Sequence, residues 1–363
     1  MSMRLAVFAG CAGLMLAAPA FAGQTTSPLP AATTGGTWTG TGSMSTPRAN
    51  VTATRLANGR VLVVGGNETL TAELYDPPSG TWLPAGTLNE PAGIHVAVRL
   101  ADGRVLVAGG GWYSTRAELY DPATNSWTRT GNMNVGRISF TGTLLRDGRV
   151  LVVGGNSLGG VQASAELYDP TTGRWTLTGN LRTPRRDHTA TLLPDGTVLV
   201  AGGAGTSGWP RNAELYVPST GRWRSAGTMT TGREAATANL LGNGRVLLAG
   251  GGNPSAQASA ELYDPATGRW TSTGSMTSFH PRGAAVLLSD GRVLVAGYSE
   301  GDVYSPATGT WTATRQMVDP GLYASAAALL PNGQVLYVGG RRDVYCGQYT
   351  CPEDTAQAEL FMP

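Results

Sequence analysis

The chain contains no lysine: all 26 of its basic residues are arginine. That excludes Schiff-base chemistry, a lysine nucleophile and a phosphate-binding P-loop. Charge is sparse as well, with 14% charged residues and a formal net charge of +2. No strong field draws the molecule toward nucleic acid, and no nucleic-acid partner is expected. Histidine and cysteine number three each, which leaves little to build a metal centre or a catalytic triad. No Gly-x-Ser-x-Gly elbow, His-Glu-x-x-His pair or dinucleotide glycine pattern occurs. The longest apolar run, Leu5 to Leu16, is shorter than the ~20 residues that span a bilayer. No transmembrane segment is expected.

That run has the form of an export signal over residues 1–22. Arg4 precedes it, and Ala20-Phe21-Ala22 supplies a small-residue cleavage site before Gly23. Ala9-Gly10-Cys11 offers a rival reading as a lipobox, with Cys11 as a lipidated terminus. Phe8 stands there where an aliphatic residue is usual, so ordinary cleavage is the expectation. The mature protein is then exported, to periplasm, outer envelope or medium. In such an oxidising setting Cys346 and Cys351, four residues apart, are expected to form a local disulfide. Their surroundings hold no histidine for a zinc site, and no metal or cofactor is expected. Residues 23–36, small and rich in Pro, Gly and Thr, read as a flexible leader.

What is abundant is glycine, 52 of 363 residues, and it recurs in a pattern. A strand-like run begins at Val61, Val105, Val150, Val198, Val246, Val293 and Val335, and usually ends in Gly-Gly. The spacing is 42 to 48 residues, the period of a blade-building repeat. Each run follows a tight turn of the Asn-Gly or Asp-Gly kind, a strong hairpin signal. Next comes Ala-Glu-Leu-Tyr-Asp or a variant, and six residues separate its tyrosine from a tryptophan: Tyr75 and Trp82, Tyr120 and Trp127, Tyr168 and Trp175, Tyr216 and Trp223, Tyr263 and Trp270, Tyr304 and Trp311. One unit is therefore four short antiparallel strands, a to d. The seventh unit stops at Phe361 without its tryptophan, while an orphan d-like segment carries Trp38 near the start. The ring is expected to close by pairing these two ends, which also protects the sheet edges.

The Gly-Gly doublet, the tyrosine and the tryptophan six residues beyond it resemble the kelch motif, and residues 37–363 resemble a kelch-repeat β-propeller of the galactose oxidase-like superfamily. The resemblance implies an all-β, seven-bladed fold with four antiparallel strands per blade. It also raises a copper-radical oxidase, whose site uses two histidines, two tyrosines and a cysteine crosslinked to one tyrosine. With its cysteines paired and its histidines unclustered, this chain is not expected to carry that chemistry. Function in such a fold lives in loops and must be argued from them.

The strand-c acid recurs as Glu73, Glu118, Glu166, Glu214, Glu261, Asp302 and Glu359. An arginine recurs ten residues after the d-strand tryptophan as Arg48, Arg137, Arg185 and Arg233. A catalytic set is not copied seven times, so acid and arginine read first as repeated bridges. The four arginines also stand as candidate ligand groups, since a ring of guanidinium groups at the channel mouth would hold a carboxylate or sulfate. His95 and His188 share one repeat position and are expected to be packed. The b–c loops vary in length and carry aromatics outside the repeat: Trp112, Tyr113, Trp209, Tyr298, Tyr345 and Tyr349. These make Trp112, Tyr113, Trp209 and Tyr298 candidate binding residues for a glycan or protein on the loop face. The alternative is a channel-mouth enzyme, an epimerase, lyase or hydrolase on a small sugar or anion. It would use Asp187, Glu234 or a histidine as acid–base, with Arg186 and Arg282 nearby. A binding module, monomeric, is the expectation.

Overall fold

A strand that is apolar on both faces needs a neighbour on each side, and seven such strands in one chain solve this by standing in a ring. The computed structural model describes residues 35–66, 69–253, 255–346 and 349–363. The expected signal segment, Cys11 and residues 23–34 of the leader lie outside the described residues. Among those described there is no helix, and seven four-stranded antiparallel sheets form the blades. Blade 1 is typical: strand a Thr52–Arg55, strand b Val61–Val64, strand c Thr71–Asp76 and strand d Thr81–Thr87. The expectation of seven sectors holds.

Strand b is buried along its whole length in every blade. In blade 1, Leu62 and Val64 pack toward Val105 and Val107 of blade 2, while Val61 and Val63 pack toward Leu336 and Val338 of blade 7. The core is thus seven apolar layers, one between each pair of neighbouring blades. The innermost a strands touch their neighbours around the whole circle, the seventh meeting the first.

The outer half of each layer is held by the repeated aromatics. The Tyr75 and Trp82 rings lie 5.1 Å apart, and the other five pairs repeat this spacing. Each tryptophan donates its indole N–H to a carbonyl of the preceding blade, as Trp175 does to Gly131 (2.7 Å) and Trp223 to Gly179 (2.6 Å). Most of the tyrosine hydroxyls meet a threonine of the preceding d strand, as Tyr216 meets Thr178 at 2.8 Å. The motif therefore does two things: it fills the wedge and it ties each blade to the one before. Close approach requires glycine at the tie point, since a Cβ on Gly179 would sit 2.2 Å from the Gly221 oxygen.

Closure follows the expected route. Thr37–Gly40 pairs antiparallel with Ala358–Met362, putting Trp38 opposite Phe361. Their ring centroids are 5.0 Å apart. The Trp38 indole N–H donates to Thr314 Oγ1 of blade 6 at 3.0 Å, so the donated strand makes the same tie as the others with a hydroxyl in place of a carbonyl. Because the strands alternate in direction, the a–b and c–d turns lie on one rim and the b–c and d–a loops on the other. Three of the b–c connections carry small hairpins, in blades 3, 5 and 7. The last, Arg341–Cys346 with Tyr349–Asp354, contains the Cys346–Cys351 disulfide, with Cα atoms 5.9 Å apart.

Candidate binding face

The loop rim rests on buried ion pairs. Arg137 donates to Glu166 (2.8 Å) and to the carbonyls of Gly154 (2.8 Å) and Ser164 (3.0 Å). One guanidinium thus joins the d–a loop, the Gly-Gly end of strand b and the end of the b–c loop. Arg48, Arg185 and Arg233 repeat this, each on its own glutamate (Glu73, Glu214, Glu261). Burial weakens the hold of these guanidinium groups on their protons, and the paired glutamate offsets it. Their side chains have 0% exposure. This corrects their place among the ligand candidates: a group with no accessible surface and all its donors aimed inward offers nothing to a ligand. The arginines shape the face without forming it.

The same slot is occupied differently elsewhere. In blade 6, His280 stands ten residues after Trp270. Its Nε2 lies 2.9 Å from Asp302 and its Nδ1 3.0 Å from the Gly297 carbonyl, with that carbonyl 17 residues on as in the arginine blades. The shorter acid matches the shorter base. Burial alone would raise the Asp302 carboxyl, but hydrogen bonds from His280 and Thr277 hold it below the ordinary range. Blade 2 has Ala92 there, and Glu118 instead accepts from the Asn89 amide and backbone and from Glu90 N–H. In blade 7, Glu359 receives two backbone N–H groups among the described residues, and burial pushes its carboxyl up.

His95 and His188 are likewise interior groups. The Nε2 of His95 bonds Thr52 at 2.9 Å, and that of His188 bonds Thr141 at 3.0 Å. Burial pushes the first down to about 4 and the second to about 3, the Arg185 charge adding to the latter.

The candidate aromatics divide. Trp112 is 82% exposed and Tyr298 50%. Tyr298 stacks on Phe279, itself half exposed, with centroids 6.4 Å apart. Phe279 was not singled out from the sequence, because it lies in a d–a loop outside any repeated position. Tyr113 is half-buried, and its hydroxyl accepts from the Asn156 amide at 3.3 Å. Trp209 is a correction: it is half-buried rather than exposed, and its indole nitrogen is enclosed with no partner among the described residues. Its backbone packs so closely on Gly232 that a Cβ there would lie 2.2 Å from the Trp209 oxygen. Tyr345 and Tyr349 stand out on the disulfide hairpin.

At the inner edge of this rim each blade turns into strand a through a corner residue in the left-handed region: Asn50, Ile94, Ser139, Asp187, Ala235, Arg282 and Ala324. Adjacent corners hydrogen-bond through the backbone, as Asn50 N–H does to Ala324 (2.9 Å) and Ala235 N–H to Asp187 (2.8 Å). Between blades 4 and 5, Arg186 lies 2.9 Å from Asp187 and 3.8 Å from Glu234. Two carboxylates and a guanidinium therefore converge beside the axis. On the opposite rim, clefts of about 440 and 730 Å³ recur between blades 3 and 4 and between 4 and 5, lined by turn residues such as Asp147, Asp195 and Arg245. Their recurrence marks them as products of the repeat.

These observations agree with comparison to solved structures. A fungal alcohol oxidase of the AA5 family, solved in complex with copper, matches 90% of this chain and 76% of its own with TM-score 0.76 and 21% identity. The protein YjhT matches 75% of this chain and 99% of its own with TM-score 0.60 and 14% identity. The fold is that of a kelch-type β-propeller. No known protein family matches the chain by sequence, and no curated protein does. The kelch-type scaffold here does not offer donors that fit copper. The three histidines sit in three blades, each on its own partner, and the two described cysteines are bonded to each other. Among the described residues no three of His, Cys, Asp and Glu converge. Among the described residues there is no helix, and so none long and apolar enough to cross a membrane.

Proposed function

We propose that the protein is an exported, monomeric binding module that presents its b–c and d–a loops to a ligand, with a glycan the best-fitting class and a protein surface the other. One observation carries this reading. The aromatics of the repeat are turned inward to hold the blades, while large aromatics outside the repeat (Trp112, Tyr298 with Phe279, Tyr345, Tyr349) are exposed on loops of the variable rim. Flat exposed rings on a rigid support suit the apolar faces of sugars, and the low charge of the chain suits a neutral polymer. The disulfide on the longest loop agrees with export. Glycan and peptide arrays probed with the purified protein, then with Trp112→Ala and Tyr298→Ala, test the reading. Loss of binding in at least one variant supports it. Binding that both variants keep unchanged removes the aromatic loop site.

A second reading rests on Arg186, Asp187 and Glu234. A guanidinium shared by two carboxylates at the inner rim is an arrangement that orients an acid and a base for proton transfer on a small sugar or anion. Turnover lost in both Asp187→Asn and Glu234→Gln while array binding persists favours this reading over the first.

A further inference from the structure

We propose that the mouth of the axial channel is a binding site for a small carboxylate anion, with Arg282 as the group that holds its charge. A cavity of about 200 Å³ opens there, lined by the corner residues Asn50, Ile94, Ser139, Arg282 and Ala324 together with His95 and their neighbours. The corners come from five blades, so the cavity belongs to the axis and not to any one repeat.

Its charge is unbalanced. Arg282 is the one ionised group lining it, since His95 is buried with its proton affinity pushed down to about 4 and is neutral. The acid among the seven corners, Asp187, is not in the lining and is held by Arg186. The arginines elsewhere on this rim that recur with the repeat are all buried on glutamates. Arg282 is exposed and makes no ion pair or hydrogen bond among the described residues, and the side chains of Asn50 and Ser139 make none either. His95, over nine-tenths buried and with its Nε2 on Thr52, closes one side of the same cavity.

An unpaired guanidinium, which can only donate, stands with an amide and a hydroxyl, which can also donate, around a space of this size. A carboxylate supplies two acceptor oxygens in one plane, which matches the guanidinium fork. Ile94 and Ala324 add small apolar patches to a lining that is otherwise mostly polar, room enough for the methyl group of acetate. This inference stands apart from the loop-aromatic reading, which uses other residues.

The test is titration of the purified protein with sodium acetate at constant ionic strength, chloride replacing acetate, followed by calorimetry and by melting temperature. A saturable signal with a dissociation constant in the millimolar range is expected, weakened at least tenfold in Arg282→Gln. Arg282 is exposed and unpaired, so this variant should melt as the parent does without acetate. Ser139→Gly and Asn50→Gly provide a second check, because both remove a donor while relieving a left-handed backbone, and both should weaken acetate severalfold. Sulfate forms the comparison arm and should bind more weakly. No saturation beyond the chloride control, equal affinity in Arg282→Gln, or binding of sulfate alone would each overturn the assignment.

Discussion

His280 Nε2 lies 2.9 Å from Asp302 Oδ2 in the slot that an arginine and a glutamate fill in four other blades. The substitution keeps the logic of the slot. A base bonded to a strand-c acid also reaches back to the carbonyl at the end of strand b, so that the loops above are pinned to the sheet below. Asp302→Asn should cost about 2–4 kcal/mol, since it turns a buried charge-assisted bond into a weaker one and leaves His280 poorly matched. Urea unfolding of the two single variants and the double variant with His280→Ala measures the coupling, expected above ~1 kcal/mol.

The arginine blades make a related prediction with an internal control. Truncation of Arg137 to Ala removes the partner of a fully buried Glu166, a change that typically costs about 3–5 kcal/mol. The loss should lie near the lower end. Glu166 keeps donors from the Asn134 amide and backbone and from Val135 N–H, the same kind of set that alone satisfies Glu118 in blade 2. Chemical denaturation checks the magnitude. Hydrogen exchange should show that the 154–164 loop, whose ends Arg137 grips, opens first.

The tie between blades can be weakened without emptying the wedge. Trp175→Phe keeps an aromatic ring but deletes the N–H that reaches Gly131. The lost bond and reduced burial should together cost about 1–3 kcal/mol. Gly179→Ala should be worse than its added methyl suggests, because its Cβ meets a backbone oxygen at 2.2 Å that no side-chain rotation can clear. Melting temperatures of the two variants, measured side by side, check the order.

Acid should loosen the ring at two defined points. Folded His95 and His188 hold protons only below about 4 and about 3, whereas the unfolded chain protonates them below ~6.5. Between these values the unfolded state binds more protons. Stability contributed by the neutral imidazoles is therefore complete above pH ~6.5 and falls as the pH drops toward 4. The slope is about 1.4 kcal/mol per pH unit for each histidine at most. Unfolding free energies from pH 7.5 to 4.5 should show this decline, and His188→Gln should flatten it.

Much of this molecule was readable before any coordinates. Spacing alone gave the blade count, because Tyr–Trp pairs at a fixed interval belong to strands c and d that must lie side by side. The missing tryptophan after Phe361 pointed to Trp38. The His280 slot was equally readable, since it falls ten residues after Trp270, the position at which four other blades carry an arginine. The loop rim was less legible. Repeats encode backbone hydrogen bonds and wedge packing, whereas exposure in a loop depends on which neighbour leans against it. So Trp112 is exposed while Trp209, alike on paper, is half-buried beside Gly232. The Phe279–Tyr298 stack joins two loops that no periodicity connects, and the unpaired state of Arg282 depends on which acids the fold carries elsewhere.

The assignment of the variable rim depends throughout on a ring of seven blades closed by the strand around Trp38. Thr37 and Met362 are direct partners across that closure. Introducing Thr37→Cys with Met362→Cys, oxidising, and mapping disulfide-linked peptides by mass spectrometry tests it most directly. The account predicts a 37–362 crosslink formed in the folded monomer alongside 346–351, with a raised melting temperature that reduction reverses. A folded double variant in which positions 37 and 362 stay unlinked, or link only between molecules, contradicts it.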